Sequence, residues 1–168
     1  MANKGDLMAK FQFEGVDDLL AQYEKLEANS TEMIGKAIYV GAGVVADAIR
    51  ASMESIVVDN HFGTSENKIA GPNALQKKGL LEAMGISELR RDGNFWNVKV
   101  GFDGYNDLKT KRWPNGQPNT LVAQSVESGT SWMNKQPFVR RAEQSSKGRC
   151  EEVMAQAFDK ELKRIIGD

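Results

Sequence analysis

The stretch NSTEMIGKAIYVGAGVVADAIRASMESI, residues 29–56, carries the strongest helical pattern in the chain. Its apolar residues recur every three or four positions, the spacing of one face of an α-helix. Asn29 followed by Glu32 resembles a capping box and predicts that a helix begins there. The apolar stripe consists of Ile34, Ile38, Ala42, Val45, Ile49, Met53 and Ile56.

Three glycines, Gly35, Gly41 and Gly43, interrupt this helical pattern. Each weakens a helix by up to ~1 kcal/mol relative to alanine. Close approach of another backbone would explain their presence, and so would a kink in the helix. The sequence leaves both explanations open.

Helical patterns also lie on both sides of this stretch. VDDLLAQYEKLEA (residues 16–28) predicts a separate preceding helix, and AKFQFEG (residues 9–15) predicts a short strand. TLVAQSVES (residues 120–128) predicts a short helix. A long amphipathic helix is predicted from about Pro137 to Ile166, with Gly167 as its stop.

A β-hairpin is predicted between these helices. GISELRR (residues 85–91) and NFWNVKVGF (residues 94–102) flank Asp92-Gly93, a hairpin turn signal, and GLLEAM (residues 79–84) predicts a helical turn before them. The predicted class is α+β: a small, mainly antiparallel sheet with long N-terminal and C-terminal helices packed on it. We expect a single domain over residues 1–168, with a strand or arm at 1–15 and long loops at 57–78 and 103–118.

Composition places the chain among ordinary globular proteins. Of 168 residues, 40% are hydrophobic and 27% charged, with a net charge of −1. Near neutrality argues against a dedicated nucleic-acid binder, although a local basic patch stays open. The N-terminus lacks the pattern of a signal peptide, and no apolar run approaches a membrane span, so we expect a soluble protein made in the cytoplasm.

Residues with chemical potential are few. Cys150 and His61 have no zinc-ligand spacing, and no triad pattern surrounds His61, so we predict no catalytic, cofactor-binding or metal site and no enzyme activity. Cys150 is expected to be a core or semi-buried residue. KTKRW (residues 109–113) is either a solvated loop or a phosphate-backbone contact with Trp113 stacking on a base.

Two segments resemble a family of tailed-bacteriophage proteins. GLLEAMGISELRRDGNFWNVKVGF (79–102) and PNTLVAQSVESGTSWMNKQPFVRRAEQSS (118–146) are similar to the head–tail joining or tail-completion proteins of long-tailed phages, typified by the tenth gene product of a lambda-like siphophage. The resemblance covers residues 16–166, with departures at Ser128, usually an aromatic, and Arg141, often a proline. The matching residues are Gly79, Leu80, Val100, Gly101, Glu127, Gly129, Thr130, Pro137, Phe138, Arg140 and Ala142.

The resemblance implies a structural virion protein of the neck. Such proteins form rings, commonly hexameric, that join the capsid neck to the tail tube and surround the channel through which DNA passes without specific readout. It implies localisation in the virion, other neck proteins and the tail tube protein as partners, and no cofactor. Terminator and connector positions in the neck both stay open, as do an intact phage and a phage-derived particle.

Within this reading, residues 126–142 form a joint. Gly129 permits a tight turn, Glu127 or Thr130 hydrogen-bonds it, Pro137 starts the last helix, and Phe138 pins that helix to the sheet. The predicted subunit or partner interface comprises Trp113, Trp132, Met133, Arg140 and Arg141. The alternatives are a DNA-binding or packaging accessory protein that uses the basic aromatic loop, and a small hydrolase that uses His61.

Overall fold

A computed structural model describes residues 16–167, in which long helices frame a small antiparallel hairpin. The α+β class predicted from the sequence is confirmed. The predicted strand at residues 9–15 lies outside the described residues. In chain order the elements are α1 (Val16–Glu54), α2 (Ala74–Ala83), β1 (Met84–Ile86), β2 (Arg90–Asp92), β3 (Phe95–Asn97), β4 (Val100–Phe102), α3 (Asn119–Ser128) and α4 (Phe138–Ile166).

The helix α1 is one unbroken element of 39 residues, so the predicted boundary at Asn29 is wrong. The Asn29 side chain does not cap a helix start. Its Nδ2 donates to the Lys25 carbonyl at 2.8 Å, and Ser30 Oγ donates to the Glu27 carbonyl at 2.9 Å. Both side chains bond back to the preceding turn, an alternative open to these residue types inside a helix. The surrounding good helix formers carry the helix through.

Antiparallel packing of α4 against α1 forms the main body. At Gly41 an added Cβ would lie 2.5 Å from Met154 Cγ and 3.0 Å from Cys150 Sγ, so the missing side chain lets α4 approach closely. An added Cβ at Gly43 would have no neighbouring atom within 4 Å. Close approach therefore explains Gly41 but not Gly43. Cys150 is half-buried at this contact, and burial raises the pKa of its thiol.

A cluster of four charged side chains joins the two helices where α4 ends. Lys36 Nζ lies 2.7 Å from Glu32 and 3.0 Å from Glu161, while Arg164 Nε lies 2.9 Å from Glu161. The hydrogen bond from Lys36 holds the pKa of Glu161 below its ordinary value. Exposed pairs contribute little stability each. The cluster marks which turn of α1 faces the last turns of α4.

The hairpin forms around the predicted Asp92-Gly93 turn but contains a bulge. In the β1–β4 ladder Met84 pairs with Phe102, whereas in the β2–β3 ladder Arg90 pairs with Asn97, a register one residue apart. The extra residue falls at Glu88-Leu89. An inserted residue of this kind increases the local twist of the hairpin.

Tyr39 ties this bulge to α1. Its hydroxyl donates to the Ser87 carbonyl at 3.3 Å and accepts from the Leu89 N–H at 2.8 Å. Beyond this anchor the tip stands away from the helices, and Phe95 is largely exposed. The hairpin is therefore held at its middle and base, with its tip free on one side.

The hydrophobic core lies where α1, α3 and α4 meet the base of the hairpin. Phe138 is 1% exposed, and its ring meets Phe102 of β4 edge-on, with centroids 5.9 Å apart. The predicted anchoring of the last helix to the sheet by Phe138 matches this contact. The core also contains Ile49, Met53, Ile56, Ile69, Leu80, Met84, Val122, Val126, Met133 and Ala142.

The loop predicted at residues 57–78 is shorter than expected, because α2 already begins at Ala74. Asn73 and Gln76 form a reciprocal capping box there, each side-chain oxygen accepting from the other residue's N–H at 2.9 Å. The loop at 103–118 is irregular, as predicted. Its middle is organised by Asn106, whose Oδ1 accepts from the Leu108 and Gln117 N–H groups at 2.9 and 3.2 Å.

We expect Phe138→Ala to lower the free energy of unfolding by ~3–5 kcal/mol, because it removes a fully buried ring and leaves a cavity. Phe62 is fully exposed, so Phe62→Ala is the matched control and should change stability by less than ~0.5 kcal/mol. Urea-induced unfolding followed by circular dichroism measures both. Equal stability of the two variants would contradict the anchoring role of Phe138.

Candidate functional site

The joint between α3 and α4 is built as a tight chain reversal. Gly129 adopts φ 75° and donates its N–H to the Ser125 carbonyl at 2.9 Å, closing α3. An added Cβ at Gly129 would lie 3.0 Å from the Lys135 nitrogen, so both the conformation and the space favour glycine. Thr130 closes the next turn, its N–H donating to the Met133 carbonyl at 2.9 Å.

Glu127 caps α4 from the neighbouring helix. Its carboxylate accepts from the Val139 N–H at 2.8 Å and from the Arg140 N–H at 3.2 Å. The first N–H groups of a helix lack internal partners and carry partial positive charge, so a carboxylate there is stabilising. Pro137, the residue before α4, has no polar side chain to supply this cap. The sequence leaves open whether Glu127 or Thr130 hydrogen-bonds the turn. The Thr130 hydroxyl oxygen does so, accepting from the Trp132 N–H at 3.3 Å, whereas Glu127 reaches across to α4.

The loop after α1 docks onto this joint. Ile69 donates its N–H to the Trp132 carbonyl and accepts from the Asn134 N–H, both at 3.0 Å, in a short parallel bridge. At Gly63 an added Cβ would collide with the Trp132 carbonyl oxygen, so this glycine too permits the contact. Two segments that the sequence presents as separate loops therefore form one unit.

Gln136 is the side chain that locks this unit, and no sequence pattern marks it. Its Oε1 accepts from the Val57 N–H at 2.9 Å, and its Nε2 donates to the carbonyls of Val57 and Ala70 at 3.1 and 2.9 Å. The primary amide thus pairs with the loop as a neighbouring strand would. A lone glutamine beside a proline has no pattern that distinguishes this role.

The sequence prediction that Met133 belongs to an interface is wrong. Its side chain is 2% exposed and belongs to the core with Val126 and Ile69. The docked loop covers it, because the bridge at Ile69 brings residues 57–73 over that part of the joint. It is therefore a core residue in this structure and has almost no surface to offer a partner.

Trp113 and Trp132, predicted separately as interface residues, line one cleft of about 240 Å³. Trp132 is 38% exposed, while Trp113 is half-buried with the Arg112 guanidinium 5.6 Å from its ring centroid. Arg140 and Arg141 are exposed on the first turn of α4 but do not line this cleft. The remaining lining residues include Gln76, Gln117, Leu121, Ser125 and Thr130.

His61 is 91% exposed in its side chain and pairs with Asp59, its Nδ1 lying 2.8 Å from Asp59 Oδ1. The same carboxylate accepts from the N–H groups of Ala70 and His61 at 3.0 and 3.1 Å. These backbone bonds, with the His61 ring, lower the pKa of Asp59 to about 2. Asp59 therefore holds the docked loop together through these hydrogen bonds. The Asp59–His61 pair resembles half of a catalytic triad, but its contacts here are structural.

Among the residues that the structure describes, no group of three or more His, Cys, Asp and Glu side chains is placed to hold a metal ion. Their helices include none that is both long and apolar enough to cross a membrane. What the joint and the cleft offer is a rigid surface with exposed aromatic and basic side chains.

We expect Gln136→Met, which keeps the side-chain size but removes the amide, to cost about 0.5–1.5 kcal/mol, because the backbone groups of Val57 and Ala70 lose hydrogen bonds at an exposed site. Hydrogen exchange at the Val57 amide should accelerate relative to amides of the α1–α4 body. Gln144→Met, at an exposed position of α4, is the control and should leave both quantities unchanged. Wild-type exchange at Val57 in Gln136→Met would rule out the locking role.

The lowered pKa of Asp59 predicts an acid-dependent stability. Since the folded carboxyl titrates at about 2 rather than 3.8, its contribution is fully present above pH 3.8 and is lost as the pH falls through about 2. A carboxyl-detected NMR titration measures this directly. His61→Ala should raise the pKa of Asp59 only part of the way, because both backbone donors remain. An Asp59 titration at 3.8 in the wild-type protein would contradict the geometry.

The chain was also compared with known proteins. No protein-family model, curated protein or solved structure matches the chain.

Proposed function

We propose that this protein is a structural subunit of the neck of a tailed-bacteriophage virion, a ring at the head–tail junction that joins the capsid neck to the tail tube around the DNA channel. The observation that carries the proposal is the placement of the motif residues. Residues from both motif segments meet at one point, where Phe138 packs on β4 beside the Glu127 cap. The motif is thus a connected structural unit.

The surface properties support a binding role without catalysis. The cleft between Trp113 and Trp132 offers aromatic area on a scaffold fixed by the docked loop, and aromatic residues with arginine dominate the energetics of protein interfaces. A rigid scaffold also lowers the entropic cost of association. We assign this cleft to contact with a neighbouring subunit or another neck protein.

The alternative function, DNA binding through residues 109–113, has a weaker basis. Lys109, Lys111 and Arg112 are exposed, as phosphate contacts require. However, Arg112 covers the Trp113 ring, which reduces the face available for stacking on a base. With a net charge of −1, long-range attraction to DNA is small. A ring channel with so little net charge would hold DNA only weakly, so the duplex would slide through it.

Electron microscopy of the purified protein tests the proposed function. We expect closed rings whose channel admits duplex DNA, and binding of those rings to purified tail tubes. A gel shift with duplex DNA at several salt concentrations tests the alternative. Salt-sensitive DNA binding without rings or tail-tube binding would replace the neck assignment with the DNA-binding one.

We expect Trp132→Ala to reduce ring formation or tail-tube binding at temperatures well below its melting temperature, because the exposed 38% of this residue lines the cleft. Tyr105→Ala is the control: Tyr105 is 66% exposed and lies away from the cleft, so its removal should affect neither measurement. Unchanged assembly and unchanged tail binding in Trp132→Ala would exclude Trp132 from the interface.

A further inference from the structure

The N-terminal part of α1 continues beyond the end of α4. Arg164, close to the last residue of α4, lies 3.7 Å from Glu32, which marks the level on α1 where α4 stops. Residues 16–29 of α1 run on from this level as a helix, which at ~1.5 Å per residue projects roughly 20 Å. We call this segment the α1 extension.

The α1 extension carries an exposed apolar stripe. Leu19, Leu20 and Tyr23 are 52%, 55% and 63% exposed, and half-buried Leu26 follows in the same series. Positions 19, 23 and 26 are spaced as one helical face, the spacing with which helices insert anchors into grooves. Large apolar side chains clustered in this way on a projecting element indicate a binding surface.

An apolar groove of matching character lies along the seam between α1 and α4. We call it the seam groove. Its first section, about 490 Å³, opens between the two helices and the hairpin tip, and a second section of about 370 Å³ shares Ile38 and Met154 with it. It is open because the hairpin is held at its bulge and leaves its tip off the helices. The first section is lined mainly by Ile34, Ala37, Ile38, Phe95, Trp96 and Phe158.

The α1 extension of one molecule cannot reach that molecule's own seam groove. Ile34 and Ile38, which form a wall of the groove, belong to the same straight helix as the extension. A continuous helix points away from its own side wall and cannot fold back onto it. Any seam groove that receives this extension therefore belongs to another copy of the chain.

Charge favours the same pairing. The α1 extension carries Asp17, Asp18, Glu24 and Glu27 against Lys25 alone. The Arg91 guanidinium lies 5.6 Å from the centroid of the Trp96 ring, which lines the seam groove, and Arg90 is its exposed neighbour. The lining itself carries Asp159 in the first section and Glu143 in the second. The favourable charge contact is therefore with Arg91 beside Trp96, at the hairpin side of the groove.

We infer that the α1 extension of one copy docks in the seam groove of the next copy, placing Leu19, Leu20, Tyr23 and Leu26 against the groove's aromatic and aliphatic lining. The contact joins two different surfaces, so it propagates head to tail and closes into a ring when the rotation allows. The inference rests on the proposed function in taking the partner to be a second copy. It deepens that function by naming the subunit contact.

Sedimentation of the full-length protein over a concentration series tests the contact. Leu20→Asp with Tyr23→Asp disables the extension, and Phe95→Asp disables the groove at a side chain that is 78% exposed and outside the core. Each change should weaken self-association at least ~10-fold. Leu75→Asp, at an exposed leucine of α2, is the control and should associate as the wild type does.

Mixing the two disabled proteins separates a head-to-tail contact from other modes. Each partner retains one intact surface, so the mixture should form a 1:1 dimer and no larger species. Charge exchange adds a second check: Arg91→Glu should weaken association, and Glu24→Arg in the same chain should restore part of it. Circular dichroism of every variant should match the wild type.

Three outcomes overturn the inference. They are wild-type association in either disabled protein, a mixture that stays monomeric, and a wild-type protein that is monomeric at every concentration. Rings that persist in Leu20→Asp with Tyr23→Asp would rule out this contact but leave the neck assignment standing. Dimers that depend on the α1 extension but do not bind tail tubes would rule out the neck assignment and leave the contact standing.

Discussion

The antiparallel contact between α1 and α4 is the interaction on which the rest of the structure depends. Its close approach at Gly41 sets the distance between the helices, and the charge cluster around Lys36 sets their level. The hairpin then attaches to α1 through Tyr39 and to α4 through Phe102 and Phe138. Without the paired helices, neither the core nor the seam groove would exist.

The sequence predicts the elements whose signals are local. The last helix begins and ends within one residue of the prediction, because Pro137 and Gly167 flank a clear apolar period. Asp92-Gly93 predicts the hairpin and Gly129 predicts the turn after α3. Each of these signals depends on neighbours a few residues away.

The sequence predictions are wrong where residues far away in the chain, or the local context, determine the structure. Asn29 has the chemistry of a cap, but its side chain bonds back to the Lys25 carbonyl and the helix continues on both sides of it. Met133 reads as a surface residue next to Trp132, yet it is covered by a loop more than sixty positions earlier in the chain. Gln136 has no local signature at all. The cleft between Trp113 and Trp132 likewise depends on how α3 brings its flanking loops together, which spacing cannot reveal.

The α1 extension has a consequence for how such a protein can change over evolutionary time. Residues 16–29 lie beyond the level where α4 stops, so their number is not fixed by the packing of the core. Inserting or deleting seven residues changes the length by about 10 Å and by nearly two whole turns, which keeps the apolar stripe on almost the same side. The length of the α1 extension and the direction of its apolar stripe are therefore separable, and either can change without redesigning the body.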